Sequence, residues 1–133
     1  MKKFTILMSL FCFTIISGQA FAGLGNQNIF NPMEFTGTEA QKTKVIEGIQ
    51  RNVHNTYCVG MNMCSASTLR MMENAEIEDF KYLVPIRGFN DASKNIFNRV
   101  VQTYCVDIDM CSYGTIKMMY DSEIEASKQT LTF

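Results

Sequence analysis

The sequence contains one stretch twice, and the second copy follows the first at an offset of 47 residues without a gap. Residues 56–78 align with residues 103–125, and 13 of the 23 aligned positions carry the same residue. Each copy places two cysteines six positions apart. Self-similarity at a fixed offset is typical of a duplicated structural unit, because one unit cannot bury its apolar face alone. We therefore expect two similar units that share one core.

Each copy begins with an apolar stripe that predicts an amphipathic helix ending near the first cysteine. In the first copy Val45, Ile49 and Val53 recur at helical spacing, and the second copy repeats the stripe. Thr38 and Gln41, three positions apart at the start of this stripe, match a capping box. We therefore expect the first helix to begin just after Thr38.

The five residues between the two cysteines are expected to break the helix. In an unbroken helix, residues six apart rise about 9 Å and point about 240° away from each other, whereas a disulfide needs its Cα atoms within roughly 7 Å. Gly60, Asn62, Asp107 and Asp109 are residues that tolerate turns. A serine follows each second cysteine and is a good N-cap. Each copy therefore predicts a helix–turn–helix.

The end of each copy allows two interpretations. Asn74 and its counterpart could cap a further short helix, whose first turn would hold the retained Glu-Ile-Glu. Alternatively, the second helix continues through Phe80, which places Glu76 within its apolar face. We favour the capped restart, because it makes Glu76 and Glu123 solvated first-turn residues. General acid–base catalysis by Glu76 and Glu123 would need a cleft that perturbs their pKa values. We do not favour this interpretation.

Residues 1–22 predict a cleaved signal peptide, because two lysines precede an apolar run and a small-residue cleavage site. Cleavage leaves 111 residues, with ten basic against thirteen acidic side chains, a balance of −3. This mature chain shows no basic patch suited to nucleic acid and no apolar run long enough to span a membrane. We expect a periplasmic or secreted bacterial protein that binds no nucleic acid.

We predict an all-α fold in which two tandem helix–turn–helix repeats, each braced by a disulfide, pack with approximate two-fold symmetry. Residues 38–85 form the first repeat and residues 86–133 the second, within one compact domain. Residues 23–37 are rich in asparagine and glycine and predict a flexible N-terminal arm. Its apolar residues either cover the edge of the core, which we favour, or bind a partner.

The mature chain has four cysteines, an even count that predicts two disulfides in an exported protein. Pairing within each copy, Cys58–Cys64 and Cys105–Cys111, explains the turns and is favoured. Loop closure alone favours pairing between the copies, since a seven-residue loop contributes about 2.4 kcal/mol and a loop near 50 residues about 4 kcal/mol. Thiol–disulfide catalysts typically use Cys-x-x-Cys, and no linear catalytic motif is present. We predict a protein that is not an enzyme and has no cofactor.

Methionine content supports a competing hypothesis of soft-metal binding. Met61, Met63 and Met110, together with thiolates, are ligands that favour Cu(I). Oxidised cysteines would be lost as ligands, and His54 has Val101 as its counterpart, so no symmetric histidine site exists. Methionine also fills cores and adaptable interfaces without any metal. We favour that structural interpretation.

The function that this pattern favours is stoichiometric binding of another envelope or secreted protein, as an inhibitor, an immunity protein or a secretion accessory. The alternative is a periplasmic copper-binding protein. The turn segments diverge most within an otherwise retained repeat, so we expect them to contact the partner. A tyrosine beside each first cysteine either packs over the turn, which we favour, or adds to the contact. The candidate contact residues are Tyr57, Val59, Met61, Met63, Tyr104, Val106, Ile108 and Met110.

Overall fold

The computed structural model describes residues 23–24 and 29–132, and four α-helices make up most of this part of the chain. The predicted signal peptide, residues 1–22, lies outside the described residues. The prediction of an all-α fold with two disulfides is confirmed, while the tandem-repeat architecture and its approximate two-fold symmetry stay predictions. The helices are α1 (Glu39–Val53), α2 (Ala66–Leu83), α3 (Asp91–Val101) and α4 (Tyr113–Lys128).

Each helix begins after a residue whose side chain accepts a hydrogen bond from a backbone N–H three positions on, which is N-capping. Gln41 reaches back as the capping-box pattern predicts, but its Oε1 accepts from the N–H groups of Thr36 and Gly37. These bonds fix the chain before α1. The four N-caps are Thr38, Ser65, Asn90 and Ser112.

The predicted helix restart at Asn74 is wrong. Helix α2 runs without a break from Ala66 to Leu83, and α4 runs equally through the counterpart of Asn74. The continuous helix carries Phe80 and Leu83 into the core. Burial of such side chains contributes about 1.5–3 kcal/mol each, which outweighs the benefit of one additional cap. Glu76 is therefore not in a solvated first turn.

Helix α4 packs against both α2 and α3, and α2 packs against both α1 and α4. Tyr113, its first residue, is fully buried. The Tyr113 hydroxyl donates a hydrogen bond to the carbonyl of Phe30 at 2.8 Å, and its ring meets the Phe80 ring edge-on with centroids 5.0 Å apart. This contact joins α4 to α2 and to the N-terminal segment.

The segment predicted to be a flexible arm contributes to the core. Gly23–Leu24 (β1) pairs antiparallel with Ile29–Phe30 (β2). Ile29, Phe30 and Pro32 are buried. The packing agrees with the interpretation in which this segment covers the edge of the core, and not with a free partner-binding arm.

Glu76 connects the two helical hairpins. Its Oε2 accepts the backbone N–H of Tyr113 at 2.7 Å, and its Oε1 accepts that of Gly114 at 3.2 Å. A carboxylate on these N–H groups also interacts favourably with the positive end of the α4 dipole. A Cβ on residue 114 would lie 3.2 Å from the carboxylate oxygens of Glu76 and Asp79, so glycine leaves room for this close approach.

Replacing Glu76 with alanine should destabilise the fold by about 2 kcal/mol, because two N–H groups at the start of α4 lose their acceptor. The measurement is urea unfolding of the oxidised protein, followed by circular dichroism. The matched control is Glu123→Ala. Glu123 is half-exposed and pairs with Arg99 at 3.4 Å, so its loss should cost less than about 1 kcal/mol. Equal losses in both variants would contradict a special role for Glu76.

Candidate functional site

The candidate site consists of the two turns that join the helices of each hairpin. We call residues 54–64 corner 1 and residues 101–111 corner 2. Each corner starts as a widened, π-helical turn, over His54–Gly60 and Gln102–Asp107. Each is then closed by a disulfide within the same copy, with Cα atoms 4.4 Å apart in Cys58–Cys64 and 4.3 Å apart in Cys105–Cys111. This is the pairing that the sequence favours.

The two corners share one backbone geometry. Asn62 in corner 1 and Asp109 in corner 2 take the left-handed conformation, with φ of 53° and 59°, which asparagine and aspartate tolerate better than most residues. The next residue in corner 1, Met63, donates its N–H to the carbonyl of Tyr57 at 2.6 Å, and the equivalent bond in corner 2 measures 2.7 Å. Backbone hydrogen bonds therefore hold each corner in addition to the disulfide.

Apolar side chains at both corners face solvent. The exposed fractions in corner 1 are 74% for Val59, 56% for Met61 and 51% for Met63. Corner 2 has similar values for the equivalent side chains, between 49% and 58%. Six exposed apolar residues on two rigid turns form a surface that water solvates poorly. The corner 2 residues are Val106, Ile108 and Met110.

Tyr57 and Tyr104 have a different position from these six residues. Both are partly buried and pack against the hydrophobic core. The structure thus favours the interpretation in which each tyrosine packs over its own corner, and it leaves only part of each ring available to a partner.

The two disulfides differ in exposure although their sequences match. Cys105 and Cys111 are 0% and 3% exposed, and the sulfur of Cys111 lies 3.8 Å from the carbonyl of Leu24. In corner 1, Cys58 is partly buried and Cys64 is exposed. The corner 2 disulfide is therefore part of the core, whereas the corner 1 disulfide is open to reagents.

The corners approach each other at one end of the molecule. The side chain of Asn52, at the end of α1, donates a hydrogen bond to the carbonyl of Cys111 at 2.9 Å. Beside this bond, Tyr57, Glu76 and Ser112 help to line a small cavity of about 80 Å³. Asn52 is buried and was not identified from the sequence, since its counterpart is the unrelated Arg99. Tyr57 of corner 1 therefore lies close to Ser112, the residue that follows corner 2.

Burial raises the pKa of Glu76 above its ordinary value of 4.5. The hydrogen bonds from the N–H groups of Tyr113 and Gly114 act in the opposite direction, and the nearby negative charge of Asp79 adds to the increase. Burial is the largest of these effects. The raised pKa of Glu76 therefore has a structural cause, which is the burial of its carboxyl group against the start of α4.

Corner 1 also holds a group of side chains of the type that ligate metals. One ring nitrogen of His54 and the sulfurs of Cys58 and Cys64 all lie within 4.8 Å of one another. The sulfurs are joined in a disulfide here, so they are not thiolate ligands in this state. From the sequence, His54 has no histidine counterpart in the second copy. Its spacing of four residues from Cys58 nevertheless places both side chains on one face of a helical turn.

An apolar groove lies between α1 and α2, away from the corners. It has a volume of about 380 Å³. Lys42 and Lys81 stand at its edge, and each pairs with a glutamate of its own helix at 2.7 Å. These lysines are therefore already neutralised. The apolar lining is formed by Phe35, Val45, Ile46, Ile77, Phe80 and Val84.

Comparison with known proteins identifies no relative, since no protein-family model, curated protein or solved structure matches this chain. Among the helices of residues 29–132, none combines the length and the apolar character needed to cross a membrane. The two disulfides suggest an oxidising setting outside the cytosol.

The raised pKa of Glu76 predicts a pH dependence of stability. A folded-state pKa above 4.5 means that the native protein binds the proton more tightly than the unfolded chain does. The proton-linked part of the stability that Glu76 contributes is therefore fully present below pH 4.5 and is lost as the pH rises through the raised pKa. When the free energy of unfolding is measured from pH 3 to 8, the stability of wild type relative to Glu76→Gln should increase as the pH falls. A difference that shrinks on acidification would show that the N–H hydrogen bonds outweigh burial.

The unequal exposure of the disulfides predicts sequential reduction, because thiol exchange requires access to sulfur. Under increasing concentrations of a phosphine, alkylation and mass spectrometry should find Cys58 and Cys64 modified before Cys105 and Cys111. The control is the same experiment in urea, where both pairs should react alike. Reduction of both disulfides at the same phosphine concentration in the folded protein would contradict the greater burial of Cys105 and Cys111.

Proposed function

We propose that this protein is a small exported binding protein of the bacterial envelope, which uses corners 1 and 2 together to contact a partner protein. Inhibitor, immunity and secretion-accessory proteins are the classes that this activity fits. The observation that supports the proposal most directly is the exposure of six apolar side chains at the two disulfide-closed corners.

The corners have two physical properties that suit protein binding. Their backbones are fixed by disulfides and by hydrogen bonds across the left-handed residues, so little conformational entropy is lost on association. Their methionine side chains are flexible and polarisable and can adapt to an irregular partner surface. Removing apolar area from water contributes about 25 cal/mol per Å². Rigid turns with adaptable side chains thus offer affinity without a preformed pocket.

Charge distinguishes the two corners. Gly60 and Asn62 make the tip of corner 1 neutral, whereas Asp107 and Asp109 give corner 2 two carboxylates. These two carboxylates favour a basic surface on the partner. They should increase the association rate more than the affinity. A partner with an apolar patch beside a basic one would complement both corners.

Export to the periplasm or the medium is part of this proposal. The two disulfides support an oxidising compartment, and residues 1–22 match a secretory signal in sequence. A partner would therefore be another protein of the envelope or a secreted one.

The test uses Met61→Lys combined with Ile108→Lys, which places one charge at the centre of each corner. Affinity capture from envelope extract of the source bacterium should yield a stoichiometric partner with wild type and none with the double variant. The lysines should abolish binding because each ammonium group would lose its hydration in an apolar contact. Circular dichroism should show unchanged helicity, since both side chains are exposed.

The matched control is Met71→Lys combined with Met118→Lys. These methionines are 63% and 62% exposed, as exposed as the corner residues, but they lie on α2 and α4. The control variant should capture the partner as wild type does. Binding that survives the corner changes, or that is lost equally in both variants, would count against the corners as the contact surface.

A further inference from the structure

We propose that reduction of the Cys58–Cys64 disulfide converts corner 1 into a Cu(I) site whose ligands are the two thiolates and the imidazole of His54. The proposal goes beyond partner binding and does not depend on it. It rests on the grouping of the three ligand atoms within 4.8 Å and on the accessibility of this disulfide.

Backbone features other than the disulfide also hold the three ligand side chains in place. His54 and Cys58 lie four residues apart in the same π-helical turn. Cys64 follows the left-handed Asn62 and the hydrogen bond from the N–H of Met63 to the carbonyl of Tyr57 at 2.6 Å. After reduction these features keep the second thiol near the first, so the site remains largely formed.

The ligand set favours Cu(I) over other common metals. Thiolates are soft ligands that select Cu(I), and imidazole also binds copper. Zinc competes for these residues, because a zinc site with three protein ligands, two cysteines and one histidine included, takes water as its fourth ligand, and the described residues group three ligands of this kind here. The thioethers of Met61 and Met63 belong to the same corner and are soft ligands that favour Cu(I). The two thiolates and the neighbouring thioethers therefore favour Cu(I), and the competition with Zn(II) tests this preference.

The reductant is a dithiol or a phosphine. A dithiol supplies two electrons and two protons to the sulfur–sulfur bond, which breaks to give two thiols, and the dithiol is itself oxidised to a disulfide. A phosphine supplies two electrons, and one water molecule supplies the two protons and the oxygen of the phosphine oxide. Binding of Cu(I) then releases both thiol protons to solvent, and the copper keeps its oxidation state.

Corner 2 provides an internal comparison. Its cysteine pair is buried, and Val101 stands where corner 1 has His54. The same backbone therefore occurs once with the third ligand and once without it. The substitution His54→Val gives corner 1 the residue of corner 2 at an exposed position, which the fold should tolerate.

The experiment titrates Cu(I) anaerobically into the full mature chain, with a chromophoric chelator as competitor. Protein reduced by a phosphine should retain one Cu(I) per chain and develop thiolate-to-copper absorption in the ultraviolet. Oxidised protein should retain none. His54→Val should lower the apparent affinity at least tenfold while circular dichroism stays unchanged. Combined Cys58→Ser and Cys64→Ser should abolish retention, and the remaining disulfide should keep the fold.

Three results would overturn the proposal. The first is reduced protein that loses all copper to the chelator. The second is retention that His54→Val leaves unchanged, since the copper would then sit on sulfur alone or at corner 2. The third is reduced protein that retains Zn(II) but not Cu(I) under the same competition.

Discussion

The carboxylate of Glu76 lies at the start of α4 and accepts the N–H groups of Tyr113 and Gly114, and the arrangement of the two hairpins depends on it. A helix end inside a protein needs acceptors for its first N–H groups, and the N-cap Ser112 satisfies only part of this need. Glu76 supplies the rest from α2. It thereby fixes where α4 begins relative to α2, and hence where corner 2 lies relative to corner 1.

The two copies also differ at the start of their second helices. Ala66 and Ser67 of the first copy correspond to Tyr113 and Gly114 of the second. The tyrosine fills the core, and the glycine leaves space for Glu76. These two differences bury the start of α4 and leave the start of α2 exposed. The disulfide of the Cys-x5-Cys turn is consequently buried in the second copy and accessible in the first.

Local features could be predicted from the sequence because they depend on neighbouring residues. The serine caps, the turn-tolerant Asn62 and the disulfide within each copy all follow from chain geometry over fewer than ten residues. The role of Glu76 could not be predicted, because its partners lie 37 and 38 residues away. From the sequence alone, Glu76 on the apolar face of a continuous helix argued against that helix. The hydrogen bonds that its carboxylate accepts remove this objection. The unequal burial of the two cysteine pairs could not be predicted either. It depends on tertiary packing, and both pairs have the same Cys-x5-Cys spacing.

The exposed methionines also make the corners observable in solution. Met61 and Met63 occur at corner 1 and Met110 at corner 2, so selectively ¹³C-labelled methionine methyl groups place separate nuclear magnetic resonance labels on the two turns without any added tag. Because these side chains stand in solvent, their methyl signals should be narrow and sensitive to whatever approaches them. Events at one turn can therefore be distinguished spectroscopically from events at the other, although the two share most of their sequence.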